Sequence, residues 1–171
     1  MHPHIFSGHI LPSEQVIFAV DDEPADRLLL ARLLEQLGPE YPCRFFSSGE
    51  EIMNALLQVL RGSAAPLACF IDIKMTGISG IDVLRWIRCQ DALDAVPVIM
   101  LSSSDDPQKR DEACGSGAQC YVKKFPSAAE LRTIITEAQR YSVDRSTPPA
   151  FHLLCDLPLN LSNAAPHPEV A

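Results

Sequence analysis

The stretch Leu67-Ala68-Cys69-Phe70-Ile71-Asp72 decides how this chain folds. Five apolar residues in a row are too few for a typical helix, and the run stops abruptly on a carboxylate. A strand in a parallel sheet is covered on both faces, so it reads as a short continuous apolar run rather than as an alternation. Two more runs of the same form lie on either side. Val16-Ile17-Phe18-Ala19-Val20 stops at Asp21, and Val96 to Leu101 stops at Ser102. Both are rich in β-branched residues, which suit strands.

Helical patterns lie between these runs. Leu30, Leu33, Leu34 and Leu37 recur at i, i+3, i+4 and i+7, as do Ile52, Ala55, Leu56 and Val59, and Leu131, Ile134, Ile135 and Ala138. The start signals agree: Pro24 falls in a first turn after Asp22, Ser48 precedes Glu51 by three residues, and Ser127 precedes Glu130 by three. Gly38 and Gly62 stand just past helix ends, where a left-handed residue is favoured. Cys43 to Ser47 reads as a short edge strand, Ile81 to Cys89 and Gln108 to Cys114 as helices, and Gln119 to Lys123 as a last strand. The order is then (βα) five times over. Such alternation implies an α/β parallel sheet with right-handed crossovers and helices on both faces, a doubly wound fold.

Composition narrows the class. The chain has 171 residues, 47% of them hydrophobic, enough for one domain with length to spare. A net charge of −8, with no cluster of Lys and Arg, argues against a nucleic-acid surface. The apolar runs fall far short of the ~20 residues that cross a bilayer, so no membrane association is expected. Met1 to Ser13 lacks the basic start and apolar stretch of a signal peptide. Six cysteines form no C-x-x-C pair, which fits thiols in a reducing compartment. A soluble cytoplasmic protein is the expectation. We divide the chain into an N-terminal extension (1–14), a domain (15–141) and a Pro-rich, mostly irregular tail (142–171). Phe151 to Cys155 in that tail is apolar enough to dock on the domain or a partner, which leaves a homodimer open.

The polar residues that end the strands carry the chemistry. In an open parallel α/β sheet ligands bind at the carboxyl edge. Asp21 and Asp22 close the first strand, Asp72 the third, Ser102 the fourth and Lys124 the fifth. Three carboxylates brought together repel and are expected to raise one another's pKa. A hard divalent cation removes that conflict, and Mg²⁺ characteristically takes one or two carboxylates plus a substrate phosphate. Ser102 adds a hydroxyl donor and Lys124 a positive charge, both suited to phosphoryl oxygens. Side chains alternate along a strand, so Lys123 shares a face with Tyr121 while Lys124 takes the other.

The motifs are V-D-D-E at 20–23, F-I-D-I-K-M at 70–75, S-G-I-D-V-L at 79–84, V-P-V-I-M-L-S at 96–102 and Y-V-K-K at 121–124. In this order and at strand ends they resemble the receiver domains of two-component response regulators, in a single-domain form like the chemotaxis regulators, over roughly residues 15 to 141. The resemblance implies a flavodoxin-like (βα)5 sheet of five strands in the order 2-1-3-4-5. It implies that Asp72 is the phosphoacceptor, taking a phosphoryl group from a sensor histidine kinase in a phosphorelay. It implies Mg²⁺ (or Mn²⁺) held by Asp22 and Asp72, by Asp21 through a water, and by the backbone carbonyl of Lys74. Ser102 and Lys124 would bind the phosphoryl group, Tyr121 would be the aromatic switch, turning inward as the hydroxyl moves, and Lys74 and Ser104 would tune phosphoryl lifetime. Such a chain is a phosphoacceptor switch rather than an enzyme, and signals to a downstream protein target or phosphotransfer protein.

Two residues depart from the family pattern. Thr76 stands where a Pro is usual after Met75, which is expected to loosen that loop while removing no ligand. Phe125 stands where the family's lysine is followed by a Pro with a cis bond. A cis bond before a non-proline residue costs ~2.5–4 kcal/mol, so the cis turn is expected either to be lost or to move to Phe125–Pro126. Two other functions compete with the regulator. A Mg-dependent aspartyl-phosphate hydrolase would usually carry a second Asp two residues past the nucleophile, where this chain has Lys74. A phosphorylation-independent binding module would have no need of the full acidic set.

Overall fold

The structure, a computed structural model, describes residues 16–39 and 41–143. The extension 1–14 and the tail beyond residue 143, with its apolar segment 151–155, lie outside the described residues. Five strands alternate with five α-helices: β1 (Ile17–Val20), α1 (Pro24–Glu35), β2 (Cys43–Phe46), α2 (Gly49–Leu60), β3 (Cys69–Asp72), α3 (Gly80–Arg88), β4 (Val98–Ser102), α4 (Pro107–Gly115), β5 (Cys120–Lys123) and α5 (Ala128–Val143). A 3-10 turn at Asp91–Leu93, with no expectation behind it, joins α3 to β4. All strand pairs are parallel and the order is β2-β1-β3-β4-β5, as expected.

The sheet divides the core into two layers, and strand parity decides which residue enters which. Ile17, Ala19, Phe70, Ile99, Leu101 and Cys120 pack with Leu30 and Leu34 of α1 and Leu131, Ile134, Ile135 and Ala138 of α5. Phe18, Val20, Cys69, Ile71, Val98, Met100 and Tyr121 pack with α2, α3 and Ala113 of α4. Every residue of β1, β3 and β4 is buried, which is why those segments carry no hydrophilic alternation. Their end residues reach the site with the same parity: Asp21, Asp72 and Lys124 fall to the α1/α5 side, Ser102 and Tyr121 to the other.

Capping sets the helix starts. Ser48 accepts from the backbone N–H of Glu51, and Glu51 returns a bond to the N–H of Ser47. Ser127 and Glu130 form the same reciprocal pair. The cap of α1 is Glu23, whose carboxylate accepts from Ala25 N, so neither Asp21 nor Asp22 is used as a helix cap.

The cis bond is at Lys124–Phe125, which corrects both alternatives expected above. Each side of that peptide is anchored. Lys124 N donates to Ser102 O at 2.8 Å, its ammonium is held among carboxylates, and Phe125 packs against the α1/α5 core.

Candidate functional site

Asp72 is the last residue of β3 and is 4% exposed; Asp21, one past the end of β1, is 5% exposed. With Asp22 they offer carboxylate oxygens that all lie within 4.8 Å of one another. The ammonium of Lys124 enters from the end of β5: its Nζ is 2.6 Å from Asp21 Oδ2, 2.8 Å from Asp26 Oδ2 and 3.0 Å from Asp72 Oδ1. Lys123, one residue earlier, turns to the opposite side and pairs with exposed Asp105 at 2.8 Å. Parity separates the two lysines, and only Lys124 reaches the acids.

The electrostatics follow from burial and from who donates to whom. The Asp72 carboxyl is pushed up to about 6, first by burial, with the charges of Asp21 and Asp22 adding to the rise and Lys124 opposing it. Burial works against the Lys124 charge, yet its bonds to Asp21, Asp26 and Asp72 outweigh that and hold its pKa above the ordinary lysine range. Asp22 departs from the expected mutual rise. Its carboxyl is lowered, chiefly because the backbone N–H of Thr76 donates to it. That N–H lies 2.8 Å, and the Thr76 hydroxyl 2.9 Å, from Asp22 Oδ2. Where a looser loop was expected at Thr76, these two bonds tether it. A proline has neither an N–H nor a hydroxyl, so it could make neither bond, whereas Thr76 ties the β3–α3 loop to the Asp22 carboxylate.

A second group adjoins the first on the other side of the sheet edge. Ser102, buried at the end of β4, donates from Oγ to Ser104 O at 3.0 Å and accepts from Ser104 N at 3.2 Å. Tyr121 is turned inward and buried, its hydroxyl donating to the same Ser104 carbonyl at 2.9 Å. The Arg110 guanidinium lies over its ring, 5.5 Å from the centroid. Hydroxyl, loop and aromatic ring are thus linked through the backbone of one residue, Ser104. Lys74 sits in the loop after β3 with its side chain exposed.

Sequence reasoning missed three contributors. Asp26 supplies a fourth carboxylate from α1. Thr76 was legible as a departure but not as a donor. Gly80, at the start of α3, lies so close to Asp72 that a Cβ there would collide with the Asp72 carbonyl oxygen. Its place in S-G-I-D-V-L was visible in the sequence; the reason for a glycine was not.

The arrangement suits a hard cation beside a buried carboxylate. Three anionic oxygens converge with no nitrogen or sulfur donor among them, and two are buried where repulsion is poorly screened. Among the described residues no helix is long and apolar enough to cross a membrane.

Comparison with known proteins gives a consistent picture. A family model for the response regulator receiver domain matches residues 17–136. The chain is 29% identical over 151 residues to the probable methanogenesis regulatory protein FilR2 of Methanothrix harundinacea, covering 84% of this chain and 96% of that protein. It is 26% identical over 134 residues to the sensory/regulatory protein RpfC of Xanthomonas campestris pv. campestris, covering 77% of this chain but 18% of RpfC. Among solved structures, the response regulator TrrA of Thermotoga maritima in complex with Mg²⁺ and BeF superposes with a TM-score of 0.61. The sequence identity is 27%, over 72% of this chain and 98% of that one.

Proposed function

The chain belongs to the response regulator receiver domain family, and from that premise we propose that it is a phosphorylation-switched signalling protein whose acceptor is Asp72. The observation that supports this most is the pairing of a buried Asp72 carboxylate with Lys124 at 3.0 Å, beside Asp21 and Asp22.

In the proposed reaction a carboxylate oxygen of Asp72 attacks the phosphorus of a phosphohistidine on a sensor histidine kinase. An O–P bond forms, the P–N bond breaks, and the departing imidazole takes a proton. Asp22 would ligate Mg²⁺ (or Mn²⁺) directly, with Asp72, the Lys74 carbonyl and, through water, Asp21 completing the protein's share. When bound, the ion supplies positive charge that neutralises these carboxylates and the incoming phosphoryl oxygens. Thr76 holds Asp22 in place for that role. Lys124 exchanges its bond to Asp72 for one to the phosphoryl group.

The switch uses the second group. Ser102 donates to a phosphoryl oxygen and gives up Ser104 O, while Tyr121 retains that carbonyl. The loop from Ser102 to Asp106 then moves with the hydroxyl, and α4 after it. This is a population shift biased by a local charge. The output is contact with a downstream protein or a phosphotransfer partner; the net charge of −8 supports protein rather than nucleic acid. The domain proper spans about residues 15–141.

Incubating the protein with Mg²⁺ and acetyl phosphate tests the reading. We expect one phosphoryl adduct by intact mass, absent from Asp72→Asn. Continuous release of phosphate without an adduct would instead indicate the hydrolase, and no reaction at all the binding module.

A further inference from the structure

Lys124 has a third partner that the proposed reaction does not use. Its ammonium carries three N–H bonds, and three carboxylates take them: Asp21, Asp72 and Asp26. Asp26 lies in the first turn of α1, away from the strand ends that supply the other acids, and its side chain is 30% exposed. It is outside the group of three oxygens that converge for a cation. Its Oδ2 nevertheless stands 2.8 Å from Lys124 Nζ, as close as the acids at the pocket floor.

We propose that Asp26 is a positioning residue that competes for Lys124, and so sets the balance between cation and phosphoryl group in this pocket. The proposal rests on the reading of Asp72 as phosphoacceptor. It predicts effects of opposite sign on the two occupants. Without the Asp26 charge, less of the Lys124 charge is offset and the pocket loses one negative charge; both changes weaken a divalent cation. The same loss releases Lys124 toward a phosphoryl oxygen and removes a repelling anion; both changes tighten the phosphoryl group. At separations of a few ångströms in a partly wet pocket, one charge changes each affinity by about three- to tenfold. A residue that merely held α1 in place would move both affinities in the same direction.

The test uses the whole chain with Asp26→Asn, which keeps size and loses charge, and Asp26→Glu as the conservative rescue. Mg²⁺ affinity is measured by calorimetry, and beryllofluoride, a phosphoryl mimic, is titrated at saturating Mg²⁺ with ¹⁹F NMR detection. Asp26→Asn is expected to bind Mg²⁺ about three- to tenfold more weakly and beryllofluoride more tightly by a similar factor, with Asp26→Glu close to the wild type. If Asp26→Asn does not fold, Asp26→Ser is measured in its place. Shifts of the same sign, or none, in a protein whose wild type binds both ligands would overturn the role of Asp26 alone. A wild type that binds neither would overturn the phosphoacceptor reading itself.

Discussion

Asp72 is an acid held where its charge is costly, and its titration exposes that cost. Its folded carboxyl is pushed up to about 6, mainly by burial, from about 3.9 in an unfolded chain. The folded state therefore binds this proton more tightly than the unfolded state. The stabilisation is complete below about pH 4 and is lost as pH rises through about 6. Asp72→Asn removes the slope, so at pH 7.5 the variant should melt higher than the wild type, on the order of a few degrees. At pH 4 the difference should vanish; calorimetric melting at both values checks it. Lys74 lies two residues past Asp72 with its side chain exposed. Lys74→Ala is expected to change the half-life of the phosphorylated protein severalfold while leaving its melting temperature in place, and an unchanged decay rate would remove the Lys74 side chain from any part in phosphoryl lifetime. Asp21, Asp72 and Ser102 were legible because each follows a run of apolar neighbours. Asp26 was not, since an acid in the first turn of a helix has an ordinary reason to be there, the helix dipole.

At the scale of elements, the start of α3 is what sets the backbone of Asp72. Gly80 N donates to Ile73 O at 3.1 Å, and the glycine's missing side chain lets the helix approach the Asp72 carbonyl. Gly80→Ala drives a methyl into backbone that has no rotamer to yield. It should cost about 1–3 kcal/mol or more in chemical denaturation and reduce phosphorylation of Asp72, since the loop must shift to admit it. At the far end of α3, Arg88 donates to the carbonyls of Gly117, Leu93, Asp94 and Val96 and to Gln119 Oε1, tying four segments together. Gln119 in turn accepts from Val98 N. Neither residue announced itself in the sequence, because an isolated Arg or Gln on an amphipathic pattern reads as solvated surface. Elements with strong periodicity and caps were legible almost to the residue, as with Ser48 before α2 and Ser127 before α5. The turn at Asp91–Leu93 was not, being shorter than any pattern that could mark it.

For the molecule as a whole, the proposed cation site would link ion binding to folding. An ion that binds the folded state alone stabilises it by RT ln(1 + [L]/Kd), about 1.4 kcal/mol at ten times Kd. Mg²⁺ should therefore raise the melting temperature by about 3–5 °C, and Asp22→Asn should abolish the rise. A wild type with no Mg²⁺-dependent shift by scanning fluorimetry would contradict the assignment of Asp22. The same shift offers a check on Thr76: a tether that orients Asp22 should matter to how steeply stability responds to the ion.

What the sequence determined by itself was the α/β alternation, the parallel character of the sheet and the polar ends of its strands. These are local consequences of burial on two faces, and local patterns record them. What only the tertiary structure decided was which charges meet. Lys124 lies beside Asp26 across 98 positions of chain, and Thr76 beside Asp22 across 54. Contacts of that kind depend on how the sheet brings α1 and the β3–α3 loop to one edge. No window of neighbouring residues carries that information.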